Sequence, residues 1–433
     1  MGYTMNSDAS KANLPLIDLP IIVQGRVVSS TAGGLTYSLR YERCELRLPA
    51  MTEAALEEFD HSNKFLLHDI SLQDIVNFLQ RVGQFWHPSN SNHPLCRAAQ
   101  EHLAAVMSYD QKMARRELNL INVVTSFGPA LYDLVEAELG HRFYLDEWIP
   151  RGDAFVHAQP WGNVAHVMVG NVPVSSIMTL VRGILSKNRT LAKLPSRDPV
   201  TALYFALSMI EIDPNHPVTR SMTVFYWRRG DELEEKALRR ADVMCVWGGG
   251  AAVKRCKELA RVGVSVLEFG PKTSLALIGK ESATSKKVAI DLAHDASIYN
   301  QEACFSPQIA FVEGDHEAFV QNLVEAFTTY QRLLPKGHTS IDDHAHVWRA
   351  RLEARYGGGR VLQSDGTEWT VIVLSDPSEI HEHPLSRCMY VVPVVALENA
   401  LSYVAPDTQT VVLSPWSRQA DLREQLTLRG AAK

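Results

Sequence analysis

The stretch that decides the fold is Ala165-His166-Val167-Met168-Val169-Gly170-Asn171-Val172-Pro173-Val174-Ser175. Its apolar opening reads as a strand, Gly-Asn-Val-Pro as a turn, and the residues from about 174 to 185 as a helix. Glycine permits close backbone approach in such a turn, and proline fixes the exit into the helix. The unit then recurs. Strands are expected over 189–193, 221–227 and 243–247, and helices over 200–209, 232–239 and 251–260. Such alternation implies an α/β fold built on a parallel sheet with helices on both faces.

Outward from this block the texture changes. Residues 15–50 read as strands: in 35–41, Leu35, Tyr37, Leu39 and Tyr41 share one face, and Gly33-Gly34 supplies the turn before them. Residues 51–140 read as helical, with Ile75, Phe78, Leu79 and Val82 close to a 3.6-residue period. A second unit follows from about 267. Its expected strands lie near 274–278, 309–313, 369–374 and 389–393, its helices near 284–295, 315–333 and 394–404, and Tyr356-Gly357-Gly358-Gly359-Arg360 reads as a flexible joint. Three regions result: 1–140, 141–266 and 267–433.

Composition narrows the function classes. The chain has 433 residues, 46% hydrophobic and 21% charged, with a net charge of -6. That balance argues against a nucleic-acid binder, which is usually basic. Six scattered cysteines without a CxxC pair or zinc-ligand spacing indicate a reduced cytoplasmic protein. The polar start (Asn6, Ser7, Asp8, Ser10, Lys11) has no leader-like apolar run, and no stretch reaches membrane-span length. His344-Ala345-His346 and His381-Glu382-His383 lack a completing ligand set, so no metal is expected.

The candidate chemistry centres on Cys304, in Tyr299-Asn300-Gln301-Glu302-Ala303-Cys304-Phe305-Ser306-Pro307-Gln308. A lone cysteine among polar and small residues, just before an apolar strand, reads as one presented by a turn rather than a buried, inert thiol. A nucleophilic thiol needs such access. Asn171 carries an amide that can donate to an oxyanion, although alone its turn is ordinary turn chemistry. Glu268, at a strand end before Gly270-Pro271, is either a general base or a solvated strand end. Lys193 ends a strand where nucleotides bind in parallel sheets, with Ser196 and Arg197 close behind it, or these are simply surface charge. Gly248 and Gly249 open a helix whose backbone N–H groups suit a phosphate, or simply form a flexible turn.

Taken in order, Asn171, Lys193, Gly248-Gly249, Glu268 and Cys304 resemble the aldehyde dehydrogenase superfamily. One branch is closer, the long-chain acyl-CoA (fatty acid) reductases known from bacterial luminescence. Tyr144 to Pro150, Ile212 to Pro217, His294-Asp295 and Pro384-Leu385-Ser386-Arg387-Cys388 carry that resemblance, over about 144–430. It implies a Rossmann-type cofactor domain (141–266), an α/β catalytic domain (267–433) and an N-terminal region in the cofactor-domain and oligomerisation layer. Members look a few dozen residues longer, so a shortened C-terminus is expected.

The implied reaction is NADPH-dependent reduction of a long-chain acyl-CoA or acyl-protein thioester to fatty aldehyde through a Cys304 acyl-enzyme. Asn171 would serve the oxyanion, and His294 either orients groups near the thiol or tunes it, or is a helix-end histidine satisfied by backbone. Ser196, where an acidic residue would suit NAD, and Arg197 favour NADPH. Acyl-protein synthetase and acyl transferase partners and a homo-oligomer are also implied. Two rivals remain: an oxidising aldehyde dehydrogenase using Glu268, and an inactive binding scaffold.

Overall fold

The computed structural model describes residues 14–30, 34–380 and 382–432. The polar start, Gly33 and His381 therefore lie outside the described residues. Two large sheets organise the chain. The first runs in the order Ser265–Phe269, Val243–Trp247, Asn163–Val167, Arg189–Lys193, Met222–Phe225, Ile21–Val23, Arg26–Val28. Its first five strands are mutually parallel, and the N-terminal hairpin closes the sheet antiparallel. The edge strand Ser265–Phe269 spans the expected boundary at 266/267 and pairs with this first sheet.

The second sheet runs Arg360–Gln363, Thr370–Val373, Cys388–Val394, Ile309–Glu313, Thr273–Ile278, Thr408–Ser414. All its pairings are parallel except the one made by Arg360–Gln363.

Burial explains the pattern. Helix Thr201–Ile212 is apolar nearly all round and buries Leu203, Tyr204, Phe205 and Met209, being covered by the sheet on one side and by N-terminal helices on the other. Those outer helices are amphipathic. Leu72–Phe85 buries Leu72, Ile75, Phe78, Leu79 and Val82, and Ser71 caps it by accepting from the Asp74 N–H. At Gly183 an added Cβ would lie 2.8 Å from His166 Nε2, so helix Pro173–Leu185 packs tightly on its strand.

Several expectations are corrected here. Residues 356–360 form an ordered helix exit rather than a flexible joint: the Gly359 N–H donates to Ala354 O at 2.7 Å, and a Cβ on Gly359 would lie 2.7 Å from Leu374 Cδ2. The helix expected at 394–404 is the 3₁₀ segment Leu397–Tyr403. Helix Ile341–Tyr356 escapes a periodicity reading because its polarity is partly inverted. Arg351 is buried on Thr370 and Gly366, while Ile341, Trp348, Leu352 and Tyr356 face outward. Among the described residues no single helix is long and apolar enough to cross a membrane, and only the bent pair Gln111–Thr125 with Gly128–Leu139 passes by length and composition. All six cysteines are free thiols.

Candidate active site

The carboxyl edge of the first sheet faces the amino edge of the second. On the first edge, Asn171 follows strand Asn163–Val167 and precedes helix Pro173–Leu185, whose first residue is proline. Gly170 is required by contact: a Cβ there would sit 2.5 Å from Asp198 N and 2.9 Å from Arg197 Cβ. Asp198 is fully buried and accepts from the Val200 and Thr201 N–H groups at 3.0 Å each, which anchors the loop after Lys193.

Lys193 ends its strand with Nζ 5.1 Å from the centre of the Tyr226 ring. Burial pushes its amine down to about 8. Ser196 Oγ and Tyr226 Oη are 3.0 Å apart, and the Tyr41 hydroxyl donates to Ser196 O at 2.6 Å. Gly248 lies in the left-handed region (φ 149°) and its N–H donates to Phe269 O at 3.1 Å. Helix Gly250–Leu259 has Gly249 as its cap and no side-chain cap bond. A Cβ on Gly249 or Gly250 would meet nothing within 4 Å, so the helix start is open. An uncapped, open helix start on the same sheet edge as a half-buried lysine fits the phosphates and ribose of a dinucleotide.

The second edge holds the thiol. Cys304 is half-buried, and its carbonyl accepts from Ser274 Oγ at 2.6 Å. Ser306 Oγ donates to Asp295 O at 2.8 Å. The two edges meet here: Asn171 Nδ2 donates to Glu302 O at 2.8 Å, and Arg197 Nη2 pairs with the Glu302 carboxylate at 2.6 Å. Burial pushes the Glu302 carboxyl up, with Arg197 pulling the other way.

The backbone of this loop is unusual. Tyr299, Asn300 and Gln301 all lie at positive φ (53°, 50° and 70°), as do Leu385, Ser386 and Arg387 (53°, 60° and 61°). Each such non-glycine residue costs on the order of 1–2 kcal/mol, so tertiary contacts must hold both turns. The contacts run between them. The Ser386 N–H donates to Asn300 O at 2.9 Å, Arg387 Nε to Asn300 Oδ1 at 3.0 Å, and the Cys388 N–H to Gln301 Oε1 at 2.8 Å.

The site thus brings Cys304, Asn171, Arg197 and Glu302 together, while Lys193, Ser196, Gly248 and Gly249 line the first edge. Three of the expected site residues have partners of their own. Arg197, expected beside the nucleotide, is turned onto the thiol loop. The Glu268 carboxylate, half-exposed on the edge strand, is paired with Lys257 at 2.5 Å. His294 bonds Asp295 at 3.2 Å and packs edge-on against Tyr330, so it is the Asp295 carbonyl that touches the thiol loop.

Sequence reasoning passed over Glu117 and gave His383 and Arg387 no role at the thiol loop. Glu117 is 1% exposed beside the Tyr299 hydroxyl, and burial pushes its carboxyl up to about 7. His383 Nε2 lies 3.2 Å from Gln308 O, and burial pushes the ring down to about 4, so it is neutral and donates there. The signal for Arg387 was the 384–388 motif, and His383 stands in His381-Glu382-His383, which was weighed only for a metal. His344 Nδ1 is 2.7 Å from Thr367 Oγ1, and among the described residues no His, Cys, Asp or Glu cluster is placed to hold a metal ion.

The two facing parallel sheets define an aldehyde-dehydrogenase-like α/β fold. Among solved structures, an oxidoreductase from Marinobacter aquaeolei matches with a TM-score of 0.74 at 15% identity, covering 98% of this chain and 90% of that one. Aldehyde dehydrogenase 21 from Physcomitrella patens matches at 0.73 and 16%, covering 95% and 88%. At such identities the likeness shows the fold alone. The family described as Acyl-CoA reductase (LuxC) matches residues 67–433, and the chain belongs to it. It is 33% identical over 419 residues to a long-chain acyl-protein thioester reductase of Vibrio harveyi (96% of this chain, 86% of the relative). It is 36% identical over 370 residues to the protein of that name from Photobacterium phosphoreum (84% and 75%). The chain is therefore an acyl reductase of that family, with an aldehyde-dehydrogenase-like fold.

Proposed function

We propose that the protein reduces a long-chain acyl thioester to the fatty aldehyde through an acyl-enzyme on Cys304. The observation that carries this reading is the 2.8 Å bond from Asn171 Nδ2 to Glu302 O, which brings the amide of one sheet edge to the thiol loop of the other. A primary amide carries two N–H donors. One holds the loop, and the second is left for the oxyanion that forms when the Cys304 thiolate attacks the thioester carbonyl. The Cys304 N–H is the second donor of that hole, and donors of this kind are worth roughly 3–4 kcal/mol each in acyl transfer. The donor thiol leaves, and Cys304 keeps the acyl group as a new thioester.

The first edge supplies the nucleotide site. Lys193 and the open helix start at Gly249 and Gly250 would hold the ribose and phosphates, and a bound reduced nicotinamide would supply the hydride. Asn171 and the Cys304 N–H then stabilise the oxyanion a second time, and its collapse returns the thiolate and frees aldehyde. Ser196, neutral and small where a carboxylate would reject a 2′-phosphate, supports NADPH over NADH. Arg197 lends no support, being held by Glu302. The relatives' names favour an acyl-protein as donor, and a partner that delivers the acyl group follows from that.

The test is intact mass after mixing with a long-chain acyl thioester, followed by NADPH. An adduct on the wild type, absent in Cys304→Ala and discharged to aldehyde, is expected. Discharge to free acid would move the assignment to water activation by Glu268. No adduct on folded protein would favour the binding-scaffold reading.

A further inference from the structure

Arg387 is 1% exposed, yet no carboxylate neutralises it among the described residues. An unpaired buried guanidinium is costly, and burial pushes this one down to about 10. Its bonds show what it does. Nε donates to Asn300 Oδ1 at 3.0 Å, Nη1 donates to Leu334 O at 2.8 Å, and its own carbonyl accepts from the Thr370 N–H at 3.0 Å. It thereby ties three segments, 299–301, 334–336 and 385–388, at one point. Asn300 completes the joint by donating from Nδ2 to Lys336 O at 3.2 Å.

Both turns at this joint are left-handed through three consecutive non-glycine residues, so neither holds its shape unaided. From the joint the constraint passes directly to the thiol loop. Gln301 accepts from the Cys388 N–H and donates from Nε2 to Pro307 O at 2.8 Å, spanning Cys304 from one side of its loop to the other. His383 holds the far end at Gln308.

We propose that Arg387 is a positioning residue for Cys304, clamping the 385–387 turn onto the 299–301 turn and so fixing where the thiol and its own N–H point. This rests on the Cys304 acyl-enzyme reading. A planar fork that donates in two directions at once is the reason for arginine: a lysine ammonium has donors but not the fork.

The experiment compares Arg387→Met, Asn300→Gly and their double variant. Asn300→Gly removes the acceptor while glycine tolerates the left-handed backbone, so it folds even if Arg387→Met does not. The expected result is at least a tenfold slower acylation of Cys304 by a long-chain acyl thioester in each single variant. Nucleotide affinity should be unchanged and the double variant no slower than the slower single one. Arg387→Lys should fail to restore the rate. Acylation within twofold of wild type in a folded single variant overturns the proposal.

If the wild type itself is not acylated, the acyl-enzyme reading has failed instead. The clamp is then read by hydrogen exchange over residues 299–308. Lost protection confined to that loop in Asn300→Gly supports the clamp, and unchanged protection overturns it.

Discussion

The two facing edges of this site are built in different ways. The nucleotide-side edge uses regular strand–turn–helix units. Strands end at Val167, Lys193 and Trp247, and glycines sit where backbone must come close or turn, at Gly170 and Gly248. The thiol-side edge is two left-handed turns pressed together by a buried arginine. A binding edge needs N–H groups pointed outward, which any helix start supplies. A nucleophile needs one atom held in one place, and in the proposed reading strained backbone over-determined by tertiary bonds holds Cys304.

The sharpest way to break this comparison is to remove the proposed nucleophile. Cys304→Ala should lower aldehyde formation by on the order of 10³-fold or more, while nucleotide affinity stays within twofold. Steady-state rates and fluorescence titration check the two halves. A loss of nucleotide binding would mean that the edges are one unit rather than two.

The next effect is on stability. Glu117 lies under the Tyr299 turn with its carboxyl raised from 4.5 to about 7. Between these values the folded state holds a proton that the unfolded state has released, so stability falls as pH rises through this window. The deficit is complete above about 7. At about 1.4 kcal/mol per unit it amounts to on the order of 3 kcal/mol. Glu117→Gln should therefore raise Tm by several degrees at pH 8 and change it little near pH 4, measured by thermal melts. Equal shifts at both pH values would show that the carboxyl is not held neutral by the fold.

What was legible in the sequence follows the same division. Strand Val243–Trp247 and the Gly248–Gly250 opening are readable because periodicity and glycine placement are local properties. The presence of a thiol loop at Cys304 is readable too, from the polar residues before the strand Ile309–Glu313. Its shape is not: Tyr299, Gln301, Leu385 and Arg387 have no local preference for positive φ, which is imposed by partners up to 87 residues away. Arg197 shows the same limit. Adjacent to Lys193 and Ser196 in sequence, it is swung onto Glu302 by the loop that Asp198 anchors and Gly170 lets approach. Adjacency along the chain predicts a shared edge but not which way a side chain leaves it.

A smaller effect sharpens the account of the nucleotide edge. Lys193→Ala should weaken nucleotide binding about tenfold, near 1.4 kcal/mol, with the rate at saturation little changed. Because burial brings the Lys193 amine down to about 8, it is cationic below that pH and loses its charge above it. Affinity for an anionic nucleotide should fall as pH rises through about 8 in the wild type, and Lys193→Arg should flatten the profile. A flat wild-type profile would remove Lys193 from the site.

The smallest expected effect concerns Glu268. Were it the base of an oxidising enzyme, its carboxylate would need to reach water at the thioester on Cys304. It instead pairs with Lys257 on the neighbouring helix, at an exposed position where such pairs are worth about 0–1 kcal/mol. Glu268→Gln should accordingly leave aldehyde formation within twofold. The same assay can follow free acid, because a carboxylate that swings away from Lys257 to activate water would hydrolyse the acyl-enzyme. A tenfold loss of acid release with aldehyde formation intact would place Glu268 on the thiol edge in the working enzyme. The contrast would then lie in the resting pairing of Glu268, with Lys257 holding the base away from the thioester.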